Sequence, residues 1–407
     1  MAIAENQDKN TRDTNSKHFN VEDIKLMDFL FSEEQQMFRD AVCGFAERHL
    51  AAGALDRAYG DRFPLDVAKL MADQGLLGIT VSEKAGGLGG TLIDAVIAIE
   101  TIAAICPRSA DVIQTGNFGA IRVLGEYASE DQRERYLRPL LNGEKLISVA
   151  MSEPEAGSAV TDLVTHATGD GLGFRVNGTK VFGSHSSEAD FFLVYLRFGP
   201  GVDGIGSVII ERGEEGFTQG SPVTYLGGEH WVQLYFDNVY VGSKDVIFGR
   251  GGFKSQMAGF NVERVGNATR SLALGQLAFD IAKKHALDRK QFGRPLCEFQ
   301  GLQWKFAELK VQLDAARLLL YRAAVNAESG FPSAEETTIA KYACNTVGFA
   351  AANEAMQVLG AAGYSQDNLV EYCFRRTRGW QIAGGSLEMM KNRLAEIIFE
   401  RRFSQRV

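Results

Sequence analysis

Phe174-Arg175-Val176-Asn177-Gly178-Thr179-Lys180-Val181 decides how the chain is divided. Phe174 and Val176 stand two apart, as do Thr179 and Val181, the period of an extended chain whose successive side chains point to opposite faces. Asn177-Gly178 between them takes positive φ angles at little cost, so the stretch predicts a hairpin with its turn at 177–178. The same period recurs in Phe192-Val194-Leu196 and Val232-Leu234-Phe236. A β domain is therefore expected from residue 147 to about 248.

On either side the apolar spacing is helical. Before the strands, Met37, Val42, Phe45 and Ala46 share one face, as do Val67, Leu70, Met71 and Leu76. Beyond Gly252, long helices are predicted over roughly 257–290, 298–328 and 334–359, with a last one near 386–402. Ser333, followed three residues later by Glu336, opens the third as a capping box. Three long helices suggest a bundle. The expected division is an extension over 1–26, a helical domain over 27–145, a β domain over 146–250 and a helical bundle over 251–407. Helices, sheet, helices is an α+β multidomain order, which alone fixes no function.

Composition narrows the field. The 407 residues suffice for two to three domains at about 150 residues each, and 45% apolar content can fill their cores. Lys+Arg 43 against Asp+Glu 51 gives a net charge of -8, and repulsion from phosphates argues against a nucleic-acid partner. No apolar run approaches the about 18 residues that span a bilayer, so no membrane partner is expected. The polar first stretch, up to about Lys25, lacks an apolar signal core and is too acidic for a mitochondrial leader; it reads as a mobile extension. Cys43, Cys106, Cys297, Cys344 and Cys373 are odd in number, far apart and in apolar helical context, which reads as reduced core thiols in a cytoplasm. The six histidines form no pair at ligand spacing, so no metal is expected.

Local signals are weaker. Gly86-Gly87-Leu88-Gly89-Gly90 lacks the preceding strand and the Gly-x-Gly-x-x-Gly spacing of a dinucleotide cradle and reads as a loop between helices. Ser184-His185-Ser186-Ser187 has no nucleophile elbow, which argues against hydrolysis. Met151-Ser152-Glu153-Pro154-Glu155-Ala156-Gly157-Ser158 follows a strand with small residues whose N–H groups and hydroxyls can converge on an acceptor-rich ligand; a structural turn is the equal alternative. Arg289-Lys290-Gln291-Phe292-Gly293 closes a long helix, where cations and glycine are ordinary terminators.

In this order the segments resemble the acyl-CoA dehydrogenase family from about Met27 to Phe403. The resemblance is carried by Met151 to Ser158, Val176-Asn177-Gly178-Thr179-Lys180, Asp288 to Gly293, Gln357-Val358-Leu359-Gly360-Ala361-Ala362-Gly363-Tyr364 and Ile382-Ala383-Gly384-Gly385-Ser386. It implies an N-terminal helical domain, a middle antiparallel β domain and a C-terminal four-helix bundle, a homotetramer with FAD partly across a subunit interface, an acyl-CoA substrate and an electron-transfer flavoprotein as acceptor. Met151, Ser152 and Ser158 would lie at the flavin. Phe182 replaces the family's usual Trp beside the ring, and Ser184 the usual Thr. Arg289, Gln291, Phe292, Gln300, Gln357, Gly360 and Ala361 would serve the adenosine and pyrophosphate end, and Ser386 and Glu388 also belong to the implied cofactor set. Ala159 and His185 depart from the Asp and Asn common at their positions.

Many family members carry a Glu at the position of Gly384, and that Glu removes the thioester α-proton. A glycine cannot. The family has a second arrangement, seen in isovaleryl-CoA dehydrogenase, with the Glu on the first long C-terminal helix just before an Arg, and Phe260-Asn261-Val262-Glu263-Arg264 is similar to it. Glu263 is the candidate base. A carboxylate shut in with a flavin and an acyl chain should become more basic. Ser158, Asn261, Arg264, Ala383, Gly384 and Gly385 would face the acyl-CoA, with the residue-384 N–H donating to the thioester oxygen. Ala383, where straight-chain enzymes place Tyr, should admit a branched, cyclic or aryl acyl group. Two other chemistries share the fold. Desulfinases resemble Arg289 to Trp304 but place Gln at the base position and Arg where Leu88 stands, and flavin monooxygenases need no such base. A non-catalytic DNA-associated relative fits the charge poorly.

Overall fold

The computed structural model describes residues 31–327 and 329–404, so the extension expected over 1–26 lies outside the described residues. Ser32 caps helix α1 (Glu33–His49): its hydroxyl accepts from the Gln35 N–H while the Gln35 side chain accepts from the Ser32 N–H. Val42, Phe45 and Ala46 form its buried stripe, but Met37, expected on that face, is exposed. Helices α2 (Leu65–Asp73), α3 (Leu92–Ile105), α4 (Ala110–Asn117) and α5 (Ala120–Tyr127) follow. Helix α3 is apolar nearly all round and lies buried between α1 and the C-terminal helices. Gly86 to Gly90 is a loop leading into α3, as expected. A side chain at Gly87 would collide with Val81, so packing accounts for that glycine.

The eight-stranded sheet comprises β1 (Ile147–Ala150), β2 (His166–Asp170), β3 (Gly173–Lys180), β4 (Phe191–Arg197), β5 (Ile205–Glu211), β6 (Phe217–Gln219), β7 (Leu234–Gly242) and β8 (Val246–Phe248). Its order is β8-β5-β4-β2-β3-β7-β6, with β1 also on β4. Most pairings are antiparallel, as expected, but β1 runs parallel to β4 from Ile147↔Phe191, and β2 touches β4 in parallel at His166↔Arg197. The turn predicted at 177–178 is absent: β3 runs straight through Asn177-Gly178, and the hairpin closes at Gly171-Leu172. Gly178 keeps a positive φ of 147° because Thr165 leaves no room for a side chain, and the register on β7 slips there as a bulge. Strand β4 is buried on both faces, so Phe192-Val194-Leu196 is not an alternating face, whereas Leu234 and Phe236 do alternate with exposed Tyr235.

Helix α6 (Phe253–Asp288, 36 residues) then spans the molecule, packed by α7 (Gln300–Val325), α8 (Ala334–Leu359) and α9 (Leu369–Trp380) into a four-helix bundle, with α10 (Leu387–Ile398) beyond. Gly275 and Gly348 bring α6 and α8 together where a Cβ on either would strike the other backbone. Helix α9 escaped the sequence pattern because its buried face carries Glu371 and Arg376 among Val370, Tyr372 and Trp380. The five cysteines are free thiols. Cys106, Cys344 and Cys373 are core residues, while Cys43 and Cys297 are half-buried, contrary to expectation. Among the described residues no helix is long and apolar enough to cross a membrane.

Candidate active site

Helix α6 carries Asn261, Glu263 and Arg264 near its N-terminal end. The two charged neighbours diverge, as adjacent helical residues must. Arg264 Nε donates to the Gly384 carbonyl at 2.9 Å and its Nη1 to Asn261 Oδ1 at 3.0 Å, over the Phe260 ring. Glu263 turns toward α4, where Gln114 Nε2 donates to Glu263 Oε1 at 2.6 Å. Gly119, at φ 54° between α4 and α5, closes the other side: a Cβ there would lie 2.5 Å from Glu263 Oε2. The carboxyl keeps a partly open face, yet protein surrounds it deeply. Desolvation raises its pKa to about 7 against the opposing pull of the Arg270 charge and the Gln114 hydrogen bond. Burial, with the Glu263 charge second, pushes the Tyr195 phenol on β4 upward in turn.

The loop holding Gly384 is supported from beneath. Lys341 Nζ and Asn345 Nδ2, both buried on α8, donate to the Trp380 carbonyl at 3.1 and 2.6 Å. Gly384 and Gly385 take φ of 71° and 93°, and among the described residues their N–H groups donate to no acceptor. Ala383 is exposed at the same place, and Ser386 caps α10 through the Met389 N–H, with Glu388 exposed in the first turn.

Met151 to Ser158 leaves β1 as a loop anchored by a group that sequence reasoning passed over. The Glu153 carboxylate accepts from Lys180 Nζ at 2.7 Å and from the Val164 and Thr165 N–H groups, while Lys180 also donates to the Met151 carbonyl. Val181 N–H donates to the Ser152 carbonyl. Thus Ser158 and Gly157 are held exposed, with open space where a Gly157 side chain would stand. Phe182 is 58% exposed at a positive φ of 59°, its ring 4.5 Å from that of Trp231, which stacks in turn on Tyr225. Sequence reasoning missed Trp231, because it belongs to a two-residue strand paired with Val223 and visible only by its partner. Ser184 is exposed nearby, whereas His185 is buried, its Nδ1 without a partner among the described residues and its pKa lowered to about 3 by burial and then by Arg108.

Arg289, Gln291, Phe292 and Gln300 lie on or beside the small hairpin after α6, and Gln357, Gly360 and Ala361 at the end of α8. All are exposed, Phe292 at 94%, and among the described residues no hydrogen bond joins either group to the Glu263 pocket.

Comparison with known proteins decides the family. The acyl-CoA dehydrogenase N-terminal, middle and C-terminal domain families match residues 32–144, 148–239 and 250–399 in chain order. The protein belongs to the acyl-CoA dehydrogenase family. The short-chain specific acyl-CoA dehydrogenase of Clostridium acetobutylicum is 32% identical over 378 residues, 92% of this chain and 100% of that one. The 3-sulfinopropanoyl-CoA desulfinase of Paraburkholderia xenovorans is 31% identical across 93% of this chain and 99% of its own. The structure of butyryl-CoA dehydrogenase from Megasphaera elsdenii matches at a TM-score of 0.85 and 29% identity over 92% of this chain and 100% of that one. This acyl-CoA dehydrogenase is an oxidoreductase acting on CH–CH bonds, and its cofactor is FAD. The site suits a flat, phosphate-bearing group: exposed Phe182 backed by Trp231, the Ser158 and Ser184 hydroxyls, and a loop left open at Gly157.

Proposed function

We propose that this acyl-CoA dehydrogenase converts a branched, cyclic or aryl-substituted acyl-CoA to its 2-enoyl-CoA, with Glu263 removing the α-proton. The observation that carries this reading is Glu263 itself: an enclosed carboxyl, oriented by Gln114, whose pKa of about 7 suits a general base at neutral pH. The α-proton leaves to a Glu263 oxygen, and negative charge developing on the thioester oxygen is met by the Gly384 N–H, which donates to no acceptor among the described residues and which a glycine supplies as well as any residue. Arg264 and Lys341 hold that donor in place through Gly384 and Trp380. FAD, when bound, supplies the acceptor for the β-hydrogen as hydride. Met151, Ser152, Ser158, Phe182 and Ser184 would hold its flavin end. Arg289, Gln291, Phe292, Gln300, Gln357, Gly360 and Ala361 would receive the adenosine end of a neighbouring protomer's cofactor in a homotetramer, which fits their exposure here.

Ala383 and Gly384 together leave side-chain volume out of the acyl end, which supports a substituted rather than a linear acyl group. An electron-transfer flavoprotein is the proposed acceptor. Glu263 in place of Gln, and exposed Leu88 in place of Arg, favour dehydrogenation over desulfination.

The test is anaerobic bleaching of the bound flavin across straight, branched, cyclic and aryl acyl-CoAs. Substituted acyl-CoAs should bleach fastest, and the rate should fall as pH drops below about 7 because Glu263 takes up a proton. Glu263→Gln should keep FAD and bleach at least about a hundredfold more slowly, the low end for loss of a general base. Undiminished bleaching by that variant would overturn the assignment.

A further inference from the structure

Gln114 is nearly fully buried on α4, 149 residues before the carboxyl that it contacts. Its Nε2 donates to Glu263 Oε1 at 2.6 Å and reaches the Glu263 backbone carbonyl at 3.4 Å, so one amide grips both the side chain and the helix that bears it. The other end of the amide, Oε1, is buried and among the described residues has no hydrogen-bond partner. It rests against Gly266, one helical turn beyond Glu263, where a Cβ would stand 2.5 Å from it. A buried acceptor left unpaired costs stability, and apolar side chains of similar volume would avoid that cost. Gly119 completes the arrangement by leaving space for the second carboxyl oxygen.

We infer that Gln114 is a positioning residue of the dehydrogenation: it fixes the rotamer of Glu263 and sets the pH at which Glu263 accepts the α-proton. This rests on Glu263 being the base. An amide N–H donated to a carboxylate stabilises the ionised form, so Gln114 opposes the desolvation that pushes Glu263 upward. Other charged groups on the packed elements are engaged elsewhere. Arg264 turns to Gly384, Asp111 on α4 is held by Arg108, Arg270 and Arg376, Arg122 on α5 bonds Glu126, and Lys341 on α8 bonds the Trp380 carbonyl. Arg270 on α6, although bonded to Asp111, remains as the charge that acts on the carboxyl, and the Glu263 charge in turn acts on the Tyr195 phenol on β4. Both persist when Gln114 is replaced.

The experiment is the pH profile of kcat/KM of the FAD-loaded enzyme with the best bleaching acyl-CoA, for Gln114→Met, Gln114→Glu and Glu263→Gln beside the wild type. Gln114→Met, which keeps the volume and removes the donor, should move the acid limb upward by about one pH unit, so that activity drops about tenfold at pH 6 and recovers by pH 9. Gln114→Glu, placing a second carboxyl on the first, should move the limb further. It decides the question if the Met variant fails to hold flavin. An unmoved limb in the flavin-loaded variants, with Glu263→Gln inactive, overturns the role of Gln114 alone. An active Glu263→Gln overturns the base assignment, and this inference with it.

Discussion

Lys341 is fully buried on α8 with its ammonium on the Trp380 carbonyl, and among the described residues no carboxylate pairs with it. A Cβ on Gly384 would lie 3.5 Å from its Cε. Burial, and then the Arg264 charge, lower its pKa to about 7. The unfolded chain titrates this group near about 10.4, so between about 7 and that value the folded state binds fewer protons and stability rises with pH. Lys341→Met, which removes the charge and keeps most of the volume, should therefore raise the thermal midpoint at pH 6 by a few degrees, at about 1 °C per kcal/mol for a chain of this length. The advantage should shrink by pH 9. A lower midpoint at pH 6 would mean that the bond to Trp380 outweighs the buried charge. At this scale the sequence was unevenly legible. Glu263 stands out only through the family resemblance, which sets a Glu before an Arg there when position 384 lacks a carboxyl; Gln114 and Lys341 carry no local mark, because their meaning is the identity of a distant neighbour.

The loop from Met151 to Ser158 depends on one internal ion pair. Burial lowers Lys180 to about 8 even with Glu153 beside it, and Glu153, despite its own burial, is held below the usual carboxylate range by Lys180 and the Val164 and Thr165 contacts. Breaking a buried pair from one side leaves a charge without compensation. Lys180→Met should cost about 3–5 kcal/mol and loosen the loop, so that flavin is lost on gel filtration before the fold melts in a thermal scan. Retention of flavin with an unchanged midpoint would rule out this anchoring role. The elements themselves were read well where a single face is buried, as in β7 and, Met37 apart, α1. They were misread at Asn177-Gly178, whose turn propensity yields to close packing on Thr165, and at α9, whose buried face is charged.

Across the molecule, Asp111 ties the N-terminal helices to the bundle. Its carboxylate receives Arg108 Nη1 at 3.0 Å from the turn before α4, Arg270 Nη1 at 2.7 Å from α6 and Arg376 Nη2 at 2.8 Å from α9, and Arg376 also pairs with Glu229. Burial alone would raise the Asp111 pKa, but Arg376, Arg270 and Arg108 together hold it well below the usual range. Its contribution is thus complete above the ordinary carboxylate pKa of about 3.9 and is lost only as pH falls through the lower folded value. Asp111→Asn should destabilise the protein by about 3–5 kcal/mol at pH 7, seen as a lowered thermal midpoint, and the gap to wild type should narrow only under strongly acid conditions. The amino-acid sequence by itself determined the succession of helices, sheet and helices, the family resemblance, and the presence of an acid at 263 with none at 384, because periodicity and motif are written within a few residues. Only the tertiary structure decided that Gln114 grips Glu263, that Lys180 anchors the loop, and that Asp111 gathers three arginines. Those pairings join segments far apart in the chain, and whether two such side chains meet is set by how helices and strands pack rather than by any local pattern.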